Sequence, residues 1–264
     1  MERGYVSDMK YYVTADVHGY FTELKTALAN LGFFEDTEPH KLIICGDLFD
    51  RGSEALQLQE FLLNLMDKDQ LILIRGNHED LAMDLLNDWD NGSYLRKLNH
   101  DNGTIDTICQ LTGIELGQLI LSPERAKNAF SMTPYVRTLI PAMVDYFETE
   151  SYIFTHGWIP CWFIKNDSTT TYIPFAGWRT APNPMWTGAR WRNGMEAAHY
   201  SIIEPDKTIV CGHWNTSFGH SHYENDGGEF DNNPNFDPYY GEGIIALDAC
   251  TPISGKVNCV VIED

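Results

Sequence analysis

The chain has 264 residues, with 18 lysines and arginines against 38 aspartates and glutamates, so its formal net charge is −20. A charge of this sign repels nucleic-acid phosphates at long range, which argues against an extended nucleic-acid-binding surface. The carboxylate excess is compatible with divalent-metal binding, although a soluble acidic surface needs no ligand at all.

The cysteines and the apolar stretches indicate the cellular compartment of the protein. Cys45, Cys211, Cys250 and Cys259 lie inside or beside apolar, strand-like runs, which predicts reduced and buried thiols. No apolar stretch approaches the roughly 20 residues of a membrane span, and no secretory signal pattern opens the chain. We therefore expect a soluble, cytoplasmic protein that has no membrane partner.

Three strand–loop–helix units are predicted in the first third of the chain. In the first, aromatic and β-branched residues predict a strand over residues 10–15, and apolar spacings of three and four predict a helix over residues 20–31. The next two units have strands over residues 41–45 and 71–74, followed by helices over residues 53–66, with Ser53 as N-cap, and from about 80 to 88. Successive units of this kind predict a right-handed, largely parallel sheet with its loops on one edge.

The remainder of the chain is predicted to complete one domain over residues 9–264. Weak helical periodicity, interrupted by Gly103, Gly113, Gly117 and Pro123, predicts a helical insertion at about residues 90–150. An aromatic-rich loop region follows at about residues 158–200. Further strands are predicted over residues 151–155, 207–211, 243–248 and 256–262, and a polar loop over residues 225–240.

Polar side chains follow five of the predicted strands at their carboxyl ends. Packing alone does not call for carboxylates and imidazoles at the edge of a sheet, so this pattern indicates a site. A two-metal site needs oxygen and nitrogen ligands and one shared carboxylate, for which Asp47 is the natural candidate. No cysteine is among these polar side chains, which favours manganese, iron or zinc over a structural zinc site. The side chains are Asp16, His18, Asp47, Asn77, His78, His156 and His213.

The order of these motifs resembles the calcineurin-like metallophosphoesterases. The Gly-Asp-x-x-Asp-Arg-Gly form at residues 46–52 resembles their phosphoprotein phosphatase branch, which includes serine/threonine phosphatases and symmetrical diadenosine tetraphosphate hydrolases. The motifs are Asp16-Val-His18-Gly19, Gly46-Asp47-Leu-Phe-Asp50-Arg51-Gly52, Gly76-Asn77-His78-Glu79, His156-Gly157 and Gly212-His213.

The resemblance implies a fold and a set of metal ligands. The fold would be the metallo-dependent phosphatase fold, a mixed α/β architecture in which a central β-sandwich is flanked by helices in four αββα layers. Two divalent metal ions would be bound, and a water that bridges them would be the nucleophile. One ion would be held by Asp16, His18 and Asp47, and the other by Asp47, Asn77, His156 and His213.

The same resemblance implies roles for three further side chains. His78 would protonate the leaving oxygen, Asp50 would orient the His78 imidazole, and Arg51 would bind the phosphate oxygens. The predicted function is a dimetal phosphoester hydrolase that acts on a phosphoprotein or on a small nucleotide-type molecule. One alternative is a dinucleoside polyphosphate or nucleotide hydrolase, and another is an inactive metal-binding module.

Two assignments have competitors within the sequence. Gly219-His220-Ser221-His222 has the Gly-His-x-His sequence of the family's last motif. His213 is nevertheless preferred as the ligand, because it follows a predicted strand. For a second phosphate-binding arginine we select Arg190, with Arg192 and Arg179 as alternatives.

Aromatic residues are concentrated around the predicted site. Six of the seven tryptophans fall between residues 158 and 214, and they either form walls for a base or peptide or make up a second core beneath long loops. Tyr223, Tyr239 and Tyr240 are candidates for hydrogen bonds to phosphate.

Overall fold

The computed structural model describes residues 9–166 and 169–264. The strands are β1 Lys10–Thr14, β2 His40–Cys45, β3 Leu71–Ile74, β4 Phe147–Glu148, β5 Tyr152–Phe154, β6 Cys161–Asn166, β7 Thr169–Pro174, β8 Thr208–Cys211, β9 Tyr239–Gly241, β10 Ile244–Ala246 and β11 Cys259–Glu263. The helices are α1 Phe21–Asn30, α2 Ala55–Asp67, α3 Asn77–Asn87, α4 Lys97–Asp101, α5 Thr104–Thr112, α6 Leu116–Leu121, α7 Pro123–Ser131, α8 Ile140–Ala142, α9 Asn183–Ala189, α10 Gly194–His199, α11 Thr216–Gly219 and α12 Thr251–Ser254.

Two mixed sheets form the centre of the molecule. In the first, with strand order β11-β1-β2-β3, the three strands of the predicted units are parallel, as expected, and β11 runs antiparallel to β1. The second has the order β4-β5-β8-β10-β9, with β5, β8 and β10 parallel and both edge strands antiparallel. A separate hairpin is formed by β6 and β7.

The sheets face each other because successive strand residues point to opposite sides. Val13 and Ile43 of the first sheet share one buried cluster with Phe154 and Val210 of the second. The alternate residues of β1 and β2 lie in a different cluster with helices α1, α2, α3, α5 and α7. The outer face of the second sheet is covered by a third cluster that includes α9 and α10. The predicted order of four layers, αββα, is therefore confirmed.

Helix boundaries correct two details of the sequence prediction, the N-cap of α2 and the start of α3, which begins at Asn77 and not at about residue 80. Helix α2 begins at Ala55, so Ser53 is not its N-cap; that position belongs to Glu54, whose carboxylate instead accepts hydrogen bonds from Thr22. The predicted interruptions of the insertion mostly mark its helix ends. Gly103 and Gly113, both with positive φ, flank α5, and Pro123 opens α7.

Several elements were absent from the sequence prediction. The β6–β7 hairpin and helices α9 and α10 lie in the region predicted as loop, and β9 ends the predicted polar loop. All six cysteines are unpaired, with Cys45 and Cys211 buried in strands as expected. Within the described residues, no helix combines the length and apolar character that crossing a membrane requires.

The inter-sheet core provides a stability prediction. Val13 on β1 is fully buried between the sheets, whereas Val261 on the adjacent β11 is 39% exposed. We expect Val13→Ala to lower the free energy of unfolding by about 2–3 kcal/mol, because it removes buried methyl groups from a closed interface. Val261→Ala, which changes strand propensity equally, should cost less than about 1 kcal/mol. Urea denaturation measures both, and equal losses would contradict this account of the core.

Candidate metal centre and active site

Asp47 is the residue on which the other site side chains converge. It follows β2 by two residues, and its carboxylate accepts a hydrogen bond from the backbone N–H of His78 at 3.0 Å. The Nε2 atoms of His156 and His18 lie 3.4 Å and 3.8 Å from its two oxygens. The loops after β1, β2, β3 and β5 thus meet at one carboxylate.

The backbone around these residues is unusual. Six non-glycine site residues have φ between 50° and 74°, a region that costs free energy for L-residues and persists only when the surroundings enforce it. The enforcing contacts include the buried Glu79 carboxylate, which accepts the N–H groups of Asp47, Leu48 and Gly76 at 2.8–3.1 Å. The six residues are Asp16, His18, Asp47, Asp50, Arg51 and His213.

Backbone carbonyls set the tautomers of two histidines. The Nδ1 atom of His18 lies 2.9 Å from the carbonyl oxygen of Phe49, and that of His156 lies 2.8 Å from the carbonyl oxygen of Cys45. A neutral imidazole carries one proton, and donation from Nδ1 leaves the Nε2 lone pair facing Asp47. Burial lowers the pKa of both rings, and it lowers the pKa of His213 to about 3. The lowered pKa values favour the neutral ring, which is the form that binds metal.

The donor set fits divalent metal ions. Two groups of potential ligands, each with its atoms within 4.8 Å of one another, share Asp47. The first consists of His18, Asp47 and His78, and so contains His78 where the predicted ligand set has Asp16; the second consists of Asp47, His156 and His213. Asn77 Oδ1 is 2.8 Å from His156 Nε2, although the other nitrogen of that ring already faces a carbonyl. Each nitrogen of the His156 ring thus faces an oxygen, but a neutral imidazole has only one N–H proton to donate. One of the two contacts therefore lacks a proton, and a bound cation would satisfy it.

Asp16 lies across the same cavity, where its Oδ2 accepts the N–H of His213 at 2.9 Å. Burial and the carboxylates of Asp248 and Asp47 raise its pKa well above the usual range. Buried carboxylates that face one another in this way are destabilised without a neighbouring positive charge. A bound cation would supply that charge.

His78 differs from the other histidines in its partner. Its Nδ1 atom contacts Asp50 Oδ2 at 2.7 Å, and Asp50 is in turn held by the hydroxyls of Thr104 and Thr107, each donating at 2.8 Å. Burial opposes protonation of His78, but the charges of Asp47 and Asp50 outweigh it and raise the pKa of the imidazole. His78 is therefore suited to carry a proton, whereas the neutral histidines are suited to bind metal.

The arginines occupy different surroundings. Arg51 Nη2 lies 3.4 Å from His78 Nε2, and its side chain lines the cavity. The Arg190 guanidinium is buried in ion pairs with Asp80, at 2.7 Å, and with Asp145, and it lines a separate cavity of about 630 Å³. Arg179 is also ion-paired, with Glu148 and Glu204. The assignment of Arg190 to substrate stays a prediction.

A cavity of about 170 Å³ brings most of the predicted site residues together. Asp50 and His156 adjoin it through their contacts with His78 and Asp47. His220 and His222 lie outside it, where they contact Glu224 and the carbonyl of Phe218. The lining residues are Asp16, His18, Asp47, Arg51, Asn77, His78, Leu81, Asn102, Trp191, His213, Asn215 and Asp248.

Two groups of residues in the site were absent from the sequence prediction. Asp248 follows β10 and lines the cavity, and burial raises its pKa to about 6. The rule that located the other residues, a polar side chain at a strand's carboxyl end, would have included it. Thr104 and Thr107 come from the helical insertion, and no local sequence signal indicates that they contact Asp50.

Comparisons with known proteins agree with the motifs. The model of the family described as calcineurin-like phosphoesterase matches residues 9–237. Serine/threonine-protein phosphatase 2 of Salmonella typhimurium is 29% identical over 137 residues, which are 51% of this chain and 58% of that protein. The asymmetrical bis(5'-nucleosyl)-tetraphosphatase of Anoxybacillus flavithermus is 33% identical over 78 residues, or 27% of this chain and 32% of that protein.

A solved structure shares the fold. It belongs to a protein provisionally assigned as a diadenosine tetraphosphatase and is 14% identical, with a TM-score of 0.52 over 97% of this chain and 94% of that one. The sequence relatives are matched over about one third to three fifths of their length.

The close packing of the loops yields a prediction for metal binding. A Cβ atom at Gly76 would lie 2.1 Å from Asp47 Oδ1, so Gly76→Ala must displace this carboxylate. We expect the variant to bind Mn²⁺ at least about tenfold more weakly in calorimetric titrations. Gly117→Ala is the control. An added Cβ at Gly117, in α6, would have no atom within 4 Å apart from its own helix backbone and chain neighbours, so this variant should bind Mn²⁺ like the unmodified protein. Unchanged affinity in Gly76→Ala would contradict the placement of Asp47 in the metal centre.

Proposed function

The chain belongs to the calcineurin-like phosphoesterases, and on this basis we propose that it is a dimetal-dependent phosphoester hydrolase. The observation that carries the proposal is the His78–Asp50 pair, in contact at 2.7 Å beside a metal-donor set and the Arg51 guanidinium. A protein that only stored or bound metal would need neither a carboxylate-oriented imidazole nor an arginine in the same cavity.

The proposed cofactors are two divalent metal ions, and the candidate metals are manganese, iron and zinc. Asp16, His18 and Asp47 would hold one, and Asp47, Asn77, His156 and His213 the other. When bound, the ions supply positive charge for the phosphoryl oxygens and lower the pKa of water toward neutrality. The chain's own contribution is to keep His18 and His156 neutral at Nε2 through the carbonyls of Phe49 and Cys45.

The remaining steps belong to side chains in the cavity. Hydrolysis adds the hydroxyl of water to phosphorus, breaks the bond between phosphorus and the leaving oxygen, and requires a proton on that oxygen. His78 Nε2 would deliver this proton, because Asp50 holds the opposite ring nitrogen. Arg51 lies 3.4 Å from the same Nε2 and would bind the phosphoryl oxygens.

The substrate class has two candidates. The two sequence relatives are a serine/threonine-protein phosphatase and a bis(5'-nucleosyl)-tetraphosphatase, so phosphomonoesters of proteins are our first candidate and dinucleoside polyphosphates the second. The exposed Trp191, which lines the cavity, specifically favours the second. A cytoplasmic location remains part of the proposal.

Separate variants test the metal and proton roles. We expect Asp47→Asn to lose bound manganese and hydrolysis of p-nitrophenyl phosphate together, since it removes the shared carboxylate. His78→Asn should keep its metal and lose about 100-fold or more in kcat, because only the proton donor is removed. Metal analysis and steady-state kinetics, with and without chelator, measure both effects.

A histidine remote from the site provides the control. His40 begins β2, at the strand end opposite to the cavity, so His40→Asn should leave metal content and kcat unchanged. Hydrolysis that survives in His78→Asn would remove the assigned proton donor. No hydrolysis by the unmodified protein with any divalent ion would overturn the enzyme proposal.

Thr107 is expected to act by positioning Asp50. Its hydroxyl donates to Asp50 Oδ1 at 2.8 Å and accepts the Asp50 N–H at 3.0 Å. Thr107→Val should lower kcat by about tenfold, leave KM and metal content near their original values, and be rescued by Thr107→Ser. Thr112→Val on the same helix serves as the control, because it removes a hydroxyl that donates to the Ile108 carbonyl and accepts the Ile114 N–H and has no hydrogen bond with Asp50. Loss of activity in Thr107→Ser as large as in Thr107→Val would exclude the positioning role.

A further inference from the structure

A second cavity lies next to the metal-donor cavity and has aromatic walls. Its volume is about 320 Å³, and we call it the aromatic pocket. Phe163 and Tyr172 line it from the β6–β7 hairpin, Trp191 and Trp214 line it from loops, and Phe218 lines it from α11. Five aromatic rings around one space make a surface suited to a flat, unsaturated ligand.

The aromatic pocket adjoins the proposed reaction centre. Trp191 lines both cavities, and its ring centroid is 5.6 Å from that of His213, a proposed metal ligand. Trp214 follows His213 in the chain, with a ring-to-ring distance of 5.9 Å, and Phe218 lies a further 6.2 Å from Trp214. A ligand anchored at the metal centre therefore reaches the pocket by passing one aromatic side chain.

Exposure distinguishes the two tryptophans of this pocket from the tryptophans of the core. Trp158, Trp178 and Trp186 are at most 3% exposed and pack in the cluster behind the second sheet, whereas Trp191 and Trp214 are 49% and 37% exposed. The two exposed rings leave apolar surface in water beside a cavity, an arrangement typical of ligand-binding walls.

Polar groups in the pocket could recognise a base or a phosphate. The Arg192 guanidinium stacks on the Phe163 ring at 4.1 Å and forms no ion pair within the described residues. The Glu196 carboxylate, which also lines the pocket, accepts a hydrogen bond from the Tyr172 hydroxyl at 2.5 Å. The pocket thus offers a cationic donor and an anionic acceptor at the edge of its aromatic walls.

We propose that the aromatic pocket binds the nucleobase of a nucleoside phosphate whose phosphate lies at the metal centre. The inference rests on the proposed function and names the substrate class. A nucleobase is separated from its phosphate by a ribose, which matches a pocket set beyond the Trp191 ring. An aryl ring joined directly to a phosphate oxygen would lie inside the smaller metal-donor cavity instead.

Two ligands that differ only in the nucleoside test the proposal by calorimetry on the manganese-loaded protein. Adenosine (α,β-methylene)diphosphate resists hydrolysis, and methylenediphosphonate carries the same phosphonates without a nucleoside. We expect the nucleotide to bind about tenfold or more tightly than methylenediphosphonate, a difference in line with stacking of one base on aromatic side chains. Trp214→Leu should abolish this preference and leave the affinity for methylenediphosphonate unchanged.

Control variants and a third ligand keep the test decisive. Trp162→Leu, which replaces an exposed tryptophan that lines neither cavity, should retain the preference. Phe163→Leu removes a pocket ring that comes from β6 and not from the loop of Trp214, should lose the preference, and replaces Trp214→Leu if that variant fails to fold. Equal affinities of the unmodified protein for both ligands would overturn the proposal. The third ligand is phenylphosphonate, whose ring is too close to phosphorus to reach the aromatic pocket. The proposal would also be overturned if Trp214→Leu lost as much affinity for phenylphosphonate as for the nucleotide.

Hydrolysis of p-nitrophenyl phosphate separates this inference from the proposed function. Hydrolysis without nucleotide preference would refute the base pocket alone. A nucleotide preference without hydrolysis by any metal-loaded form would refute the catalytic proposal and leave base binding in place.

Discussion

The buried carboxylate of Glu79 is the constraint on which the site depends. It accepts three backbone N–H groups, from Asp47, Leu48 and Gly76, and so joins the loops that follow β2 and β3. A further hydrogen bond, in which Asp47 accepts the N–H of His78, joins the loop after β2 to the start of α3. These bonds hold Asp47 in a left-handed conformation that it would not adopt unaided. The protein therefore prearranges its proposed metal donors through hydrogen bonds within the chain.

The two halves of the site come from different parts of the fold. The strand ends of both sheets supply the proposed metal donors, while the helical insertion supports the loop at residues 50–52. Helix α5 contributes Thr104 and Thr107 to Asp50, and Gln110 donates to the Gly52 carbonyl and accepts the N–H of Ala55. An insertion whose sequence suggests no function thus holds the carboxylate that orients the proposed proton donor.

The tryptophan-rich region combines the two interpretations that its sequence allowed. Trp158, Trp178 and Trp186 form a buried core behind the second sheet, where Trp178 and Trp186 also pack against Tyr146. Trp191 and Trp214 remain half exposed beside the metal centre. One short stretch of chain therefore stabilises the outer layer of the fold and shapes the surroundings of the site.

Local sequence patterns were enough to predict the three parallel strand units and the polar residues at their ends. They were enough because hydrophobic periodicity and glycine turns are local, and because parallel strands bring their carboxyl ends to one edge. Asp16, His18, Asp47, His78 and His213 were found in this way and line one cavity. The contacts between residues far apart in the sequence are seen only in the folded structure. The hydrogen bonds of Thr107 to Asp50 and of Glu79 to Asp47 join residues 57 and 32 positions apart. Whether a tryptophan is buried or exposed depends likewise on which layer packs against it, and no local pattern encodes that choice.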